Sequence, residues 1–194
     1  MNLPNQLTVG RLCVTMVFVT VLSLNIPFKF TIGLWLFVVA SITDWLDGMI
    51  ARKWNLITNF GKLMDPLADK VLVAAAFVML SAEGIFPAWI LVVILAREFL
   101  VTGLRLIATA QGVVLAADHL GKWKTIFQIV TAIYLLLALA SQEAPMRVFA
   151  GLFSINGLGS HQLGLWLCYL TLAATVISGL NYVWKNRRLI EWDA

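Results

Sequence analysis

Residues 44–69, DWLDGMIARKWNLITNFGKLMDPLAD, join two long apolar runs and hold four of the ten acidic residues of the chain. These acids are Asp44, Asp47, Asp65 and Asp69. The first two are spaced i, i+3 and the last two i, i+4, so each pair lies on one face of an α-helix. The polar loop 53–61 between the pairs is short, which makes the two helices antiparallel. The segment therefore predicts four carboxylates side by side at one end of a helical hairpin.

Outside this segment the chain is dominated by apolar residues. Of its 194 residues, 61% are hydrophobic and 12% are charged, and the mean hydropathy is +0.90. Soluble domains have about 45–50% apolar and about 25% charged residues, so an ordinary soluble domain is excluded. Crossing a bilayer takes roughly 20 residues, and the shorter runs reach this length with their flanking residues. We predict a single all-α integral membrane domain over residues 1–194, with transmembrane helices at about 12–26, 30–50, 63–81, 86–107, 125–140 and 163–184.

The Lys and Arg residues predict the orientation of these six helices. With the N-terminus inside, only Lys29 and Arg147 of the 14 basic residues fall on the outer side. Cytoplasmic loops of membrane proteins carry such an excess of positive charge. We therefore expect both termini and the acidic hairpin at the cytoplasmic side. The net charge of +4 reflects loop topology first, so we expect no nucleic-acid partner, but the excess is larger than topology requires and predicts that some of these cations bind an anionic ligand.

Four neighbouring carboxylates repel one another and require compensating positive charge. Residues 44–69 contain no His or Cys, so the donors favour hard divalent cations such as Mg²⁺, Mn²⁺ or Ca²⁺, and two such ions would neutralise them. Gly48 and Ala51 leave room for a ligand beside the acids, and Arg52 offers a planar fork for phosphate oxygens. This combination indicates a pyrophosphate site. The alternative is an interfacial hairpin whose acids are solvated or paired with Arg52, Lys62 and Lys70.

The acidic segment also resembles the signature of a known family, the CDP-alcohol phosphatidyltransferases. All eight specified positions match, in the order Asp44-x2-Asp47-Gly48-x2-Ala51-Arg52-x8-Gly61-x3-Asp65-x3-Asp69. The resemblance implies the fold of that family, a six-helix integral membrane enzyme that usually forms a homodimer. Such enzymes transfer a substituted phosphate from a CDP-linked donor to an alcohol and release CMP.

The resemblance further implies roles for single residues. The four Asp residues are similar to the ligands of a two-metal centre for Mg²⁺ or Mn²⁺, and Asp69 is also similar to the general base. Positions that bind the donor, CDP-diacylglycerol, are matched by Gly48, Arg52 and Thr58, and Gly61 belongs to the same signature. Near the N-terminus, Asn5 and Thr8 either line this nucleotide pocket or cap the first helix.

Further segments resemble one branch of the family, the bacterial phosphatidylglycerophosphate synthases. They are residues 2–11, 97–105 and 120–128. The acceptor that this branch implies is sn-glycerol 3-phosphate, whose own phosphate needs cations that the CDP site does not supply. The candidates near the cytoplasmic ends of the fourth and fifth spans are Arg97, Arg105, Lys122 and Lys124. Glu98 is either part of the same site or a structural partner of a basic residue.

Two other functions stay open. The same family could use another acceptor, namely inositol phosphate, serine or phosphatidylglycerol, and an uncharged acceptor would not need the four cations. A cation transporter also places Asp residues in helices, but it predicts acids near the middle of the membrane on discontinuous helices. We therefore expect an enzyme of the bacterial inner membrane, with its active site facing the cytoplasm.

Overall fold

The computed structural model describes residues 3–54, 59–110, 119–154 and 161–187, and side chains at 9–44, 70–109, 120–151, 153 and 162–187. In these ranges the chain is helical apart from short connections and contains no strand. The helices are α1 (Leu3–Ser23), α2 (Lys29–Trp54), α3 (Asn59–Ala82), α4 (Ala88–Ala110), α5 (His119–Ala140), a 3-10 helix (Ala144–Phe149), α6 (Ala150–Ser154) and α7 (His161–Lys185). The predicted all-α class is confirmed.

Each of the six predicted apolar runs coincides with one of the long helices, α1 to α5 and α7. In the described part of the chain, two helices are long and apolar enough to cross a membrane, Leu120–Ala140 and Gln162–Lys185. Charged side chains interrupt others, as Arg97, Glu98 and Arg105 do in α4. Six crossings therefore stay a prediction, and the two apolar helices agree with the composition of the chain in favouring a membrane protein.

Buried residues of α1 to α5, together with Cys168 of α7, form one hydrophobic core. Phe18, Phe37 and Phe77 are fully buried, and the rings of Phe18 and Phe37 lie 6.1 Å apart. Helices α1 and α2 approach closely at Gly33, where an added Cβ would lie 2.9 Å from Cδ2 of Leu22. The antiparallel pairing of these two helices follows from the short connection between them and places the start of α1 beside the end of α2.

The outer surface of the bundle is apolar as well. Large side chains such as Phe99, Trp166 and Trp184 are each more than 70% exposed. Exposed large apolar side chains occur on each of the six long helices. Extensive exposed apolar surface is rare on soluble monomers and marks contact with a membrane or a partner. The exterior therefore agrees with the composition in indicating a lipid environment.

Polar contacts fix the bundle at the end where α2 begins. The Glu143 carboxylate, which follows α5, accepts hydrogen bonds from the backbone N–H groups of Phe30 (3.0 Å) and Thr31 (2.8 Å) and from the Thr31 hydroxyl (2.6 Å). A carboxylate at a helix N-terminus satisfies free N–H groups and complements the helix dipole. Nearby, Nζ of Lys29 contacts Oε1 of Glu83 at 2.6 Å. These contacts hold α2, α3 and the segment after α5 together, and the acidic segment lies towards the other end of α2.

Candidate active site

Of the four predicted metal ligands, Asp44 is the one whose side chain lies among the described residues. It forms an ion pair with Arg11 of α1, and the hydroxyl of Thr15 donates to the backbone carbonyl of Arg11 at 2.9 Å. The Arg11 side chain is 3% exposed, whereas that of Asp44 is 37% exposed. A buried arginine thus orients a carboxylate that is still accessible. Ligating carboxylates are commonly held by such partners, so the donor at this position fits a metal ligand.

The other predicted ligands lie on the helices that the sequence predicts. The backbone of Asp47 belongs to α2, and those of Asp65 and Asp69 belong to α3. Helices α2 and α3 contact each other, as the predicted hairpin requires. The side chains of these three acids lie outside the described residues, so the convergence of the four carboxylates stays a prediction. Among the described side chains alone, no three potential metal ligands cluster.

The predicted donor-binding residues also fall outside the described side chains. Thr58 lies between the described ranges, and the remainder are placed only by their helices. Those on α1 are Asn5 and Thr8, those on α2 are Gly48 and Arg52, and that on α3 is Gly61.

A second charged cluster joins α4 to α5. One oxygen of Glu98, Oε1, contacts both Nζ of Lys124 and Nη1 of Arg97, the latter at 3.2 Å. All three side chains are largely buried, with exposed fractions of 13% for Glu98, 6% for Lys124 and 12% for Arg97. Buried charges are stable only when they are paired and hydrogen-bonded. Glu98 is therefore a partner of basic residues, as one of its two interpretations predicts. Both of these basic residues are predicted to bind the acceptor.

Helix α7 provides the other wall around Arg97. Nη2 of Arg97 donates to Oγ of Ser178 at 3.0 Å, and this hydroxyl in turn donates to the carbonyl of Thr175 at 3.0 Å. Next to Ser178, Gly179 lets the arginine stem lie directly on the α7 backbone, since an added Cβ would be 2.8 Å from Cγ of Arg97. The arginine is consequently fixed by contacts at its stem and at two of its nitrogens.

The two remaining predicted cations lie apart from Glu98. Nε of Arg105 donates to the hydroxyl of Tyr182 at 3.1 Å, and its guanidinium carbon lies 5.4 Å from the centre of that ring. Arg105 and Lys122 are both exposed. Of the four predicted acceptor-binding residues, the structure therefore brings Arg97 and Lys124 together in one buried cluster.

Sequence analysis missed three residues that shape this region, Ser178, Gly179 and Tyr182 of α7. No segment after residue 145 resembles a distinguishing motif of the branch, so the resemblance gave no reason to select them. The sequence does contain one indication of this contact, since a small polar residue, Ser178, is followed by Gly179 in a mainly apolar helix. Small and polar residues mediate helix contacts in membranes.

The arrangement offers two complementary charge environments. Asp44, with the acids predicted beside it, can hold cations, whereas Arg97 and Lys124 can attract an anionic group. A phosphate-bearing substrate and a metal-bound pyrophosphate are the ligands that match these environments.

Comparison with known proteins agrees with the resemblance of the acidic segment. Residues 1–177 match the family model described as CDP-alcohol phosphatidyltransferase. A relative from Bacillus subtilis named CDP-diacylglycerol--glycerol-3-phosphate 3-phosphatidyltransferase is 40% identical over 205 aligned positions, covering 100% of this chain and 96% of the relative. A Rickettsia bellii protein of the same name is 44% identical over 128 residues, covering 66% of this chain and 71% of the relative.

A relative with a different name is found in rice, Oryza sativa subsp. japonica. It is named cardiolipin synthase (CMP-forming) and is 36% identical over 161 residues, covering 76% of this chain and 49% of the relative. The family model and the relatives together assign the chain: it belongs to the CDP-alcohol phosphatidyltransferase family.

Proposed function

We propose that this protein transfers the phosphatidyl group of CDP-diacylglycerol to sn-glycerol 3-phosphate, giving phosphatidylglycerol phosphate and CMP. The observation that carries the proposal is the likeness to the Bacillus subtilis enzyme along the whole chain. The buried pair Arg97 and Lys124 supports the choice of acceptor, because an acceptor with its own phosphate requires positive charge outside the donor site.

The reaction breaks one P–O bond and forms another. The free hydroxyl of the acceptor attacks the phosphorus that carries the diacylglycerol, and the bond from this phosphorus to the CMP oxygen breaks. Asp69 takes the proton of the attacking hydroxyl as general base. CMP leaves with the electron pair of the broken bond, and the new phosphodiester stays attached to the lipid.

The acidic segment would hold the divalent ions of this reaction. Asp44, Asp47, Asp65 and Asp69 supply oxygen donors only, which suits two Mg²⁺ or Mn²⁺ ions. When bound, such ions neutralise the charge of a pyrophosphate and of the departing phosphate. The chain itself contributes orientation: Arg11 holds Asp44, while Gly48, Arg52, Thr58, Gly61, Asn5 and Thr8 are the candidates for holding the donor.

The topology that fits this chemistry is a single domain with six transmembrane helices in the bacterial inner membrane. Support comes from six long helices at the predicted apolar runs and from the distribution of Lys and Arg. Both termini and the active site would face the cytoplasm, where the CMP is released. The acyl chains of the donor would stay in the bilayer, and two copies of the chain would form a homodimer.

A second candidate function is transfer to phosphatidylglycerol, which the likeness to the rice relative favours. Both candidates share the donor and the release of CMP, so they differ only in the acceptor. Phosphatidylglycerol brings a phosphodiester with one negative charge, whereas glycerol 3-phosphate brings a monoester that carries close to two negative charges at neutral pH.

The test is CMP release by the detergent-purified protein with CDP-diacylglycerol, Mg²⁺ and each acceptor in turn. We expect release with glycerol 3-phosphate that stops when the metal is chelated and resumes when Mg²⁺ is returned. Release only with phosphatidylglycerol, serine or inositol phosphate would overturn the choice of acceptor. A folded protein that releases no CMP with any acceptor would overturn the transferase function, and metal transport into vesicles would then be measured.

A further inference from the structure

Positive charges outnumber negative ones among the described side chains in contact with Glu98. Besides Arg97 and Lys124, a third cation is near, because Nζ of Lys70 on α3 contacts the hydroxyl of Thr102, and this hydroxyl donates to the backbone carbonyl of Glu98 at 2.7 Å. Among the side chains that the structure describes here, two cations contact the Glu98 carboxylate, and Lys70 reaches the backbone carbonyl of Glu98 through Thr102.

Hydrogen-bond donors in the same region also lack acceptors. Nε of Arg97 and Nε2 of Gln128 are buried and have no hydrogen-bond partner among the described residues. Gln128, which is 3% exposed, follows Lys124 by one turn of α5. Buried donors are normally satisfied, and leaving one without an acceptor costs about 1–3 kcal/mol. Unsatisfied donors together with surplus positive charge are what an anion-binding site shows without its anion.

Glu98 stands at the centre of this region but carries the same charge as the expected ligand. A carboxylate cannot itself attract a phosphate, so its contribution must be to the cations. Both contacts are made by its Oε1 atom, which fixes Nζ of Lys124 relative to Nη1 of Arg97. A lysine stem has several rotatable bonds, and a fixed partner removes much of the entropy that anion binding would otherwise cost.

We propose that Glu98 is a positioning residue for the acceptor site: it holds Arg97 and Lys124 in one arrangement, so that they bind the phosphate of the acceptor together. The inference rests on the proposed function, because it assumes that the acceptor carries a phosphate. Glu98 would contribute to the specificity for this acceptor without touching it. The proposal gives Glu98 no part in donor binding.

The test compares Glu98→Gln and Glu98→Asp with the unaltered protein, using the full chain in detergent with Mg²⁺. The KM for glycerol 3-phosphate and the KM for CDP-diacylglycerol are both measured by CMP release. For Glu98→Gln we expect the KM for glycerol 3-phosphate to rise about 10- to 100-fold, as on loss of partners that orient binding groups, and the KM for the donor to stay within about twofold. Glu98→Asp keeps the carboxylate but draws it back by one methylene group, so we expect an intermediate rise of about three- to tenfold in the KM for the acceptor alone.

Glu83→Gln is the matched control. It also removes the carboxylate from a contact with a lysine, Lys29, but at the opposite end of the bundle. We expect both KM values of this variant to stay within about twofold of the unaltered protein. A merely structural role of Glu98 would lower the yield or kcat and leave the ratio of the two KM values unchanged.

Each outcome decides the proposal. If Glu98→Gln does not fold, Glu98→Asp decides it, because a rise of about threefold or more in the KM for the acceptor alone supports positioning. An unchanged KM for glycerol 3-phosphate in a folded variant, or equal rises in both KM values, overturns the role of Glu98 and leaves the proposed function intact. An unaltered protein without CMP release on glycerol 3-phosphate overturns the proposed function and, with it, this inference.

Discussion

Gly179→Ala tests the placement of Arg97 by adding one methyl group. The added Cβ would lie 2.8 Å from Cγ, 3.5 Å from Nε and 3.8 Å from Cδ of Arg97. Carbon atoms in contact are separated by about 3.5 Å or more, so the arginine stem must move by about 0.7 Å. The stem has little freedom to do so, because Nη1 is held by Glu98 and Nη2 by Ser178.

The size of the effect follows from two opposing terms. Overpacking a filled interface costs about 1–3 kcal/mol, whereas replacing glycine by alanine within a helix gains about 1 kcal/mol. The net loss of stability is therefore about 0–2 kcal/mol, and the protein should still fold. Losing one hydrogen bond to a charged group costs about 1.5 kcal/mol, which corresponds to a rise of about tenfold in the KM for glycerol 3-phosphate.

The assay combines CMP release at varied glycerol 3-phosphate and at varied CDP-diacylglycerol with thermal unfolding in the same detergent. Gly103→Ala is the matched control, because an added Cβ at that position of α4 meets nothing within 4 Å. We expect the control to be slightly more stable and to keep both KM values. If Gly179→Ala leaves the KM for glycerol 3-phosphate within twofold of the unaltered protein, Arg97 does not bind the acceptor from this position.

Three further predictions concern the proposed reaction. Asp69→Asn should abolish CMP release while CDP-diacylglycerol still binds in a competition assay; a variant that keeps its turnover would remove Asp69 as the base. Arg105→Ala should raise the KM for glycerol 3-phosphate more than that for the donor, and equal rises would place Arg105 outside the acceptor site. Arg11→Met should raise the Mg²⁺ concentration needed for half-maximal rate by about 10- to 100-fold, because Asp44 loses its orienting partner; an unchanged Mg²⁺ requirement would contradict that role.

The positions of the long helices were predictable because their signal is local. Each apolar run is continuous in the sequence, and all six lie in helices with limits within a few residues of those predicted, apart from extensions such as the start of α1 at Leu3. The number of membrane crossings is less certain from composition, since helices that carry charged residues, such as α4 with Arg97 and Glu98, fall short of the apolarity of a simple span. Charged residues within membrane helices usually serve a function, so the residues that obscure the number of crossings are also candidates for the site.

The contacts within the proposed acceptor site could not be predicted from the sequence. The sequence predicts Arg97 and Lys124 as acceptor-binding cations, but their common partner and their separation from Arg105 depend on how α4, α5 and α7 pack. Spacing along one helix cannot reveal a contact such as that of Arg97 with Ser178, 81 residues later in the chain. The role of Gly179 could not be predicted either, because it depends on the stem of Arg97 packing against the backbone of α7 at this position.

The two ends of the bundle differ in how their charges are balanced. Where α2 begins, Lys29 meets Glu83, and both oxygens of Glu143 accept hydrogen bonds from α2, so these groups are satisfied by the chain itself. Around Glu98, two cations share the one described carboxylate, and two buried donors lack acceptors among the described residues. Because buried unpaired charge destabilises a fold, an imbalance at one end points to a ligand that supplies the missing negative charge. A phosphate monoester has the charge and the oxygen acceptors for this, so the acceptor, bound as proposed, would also complete the packing of three helices.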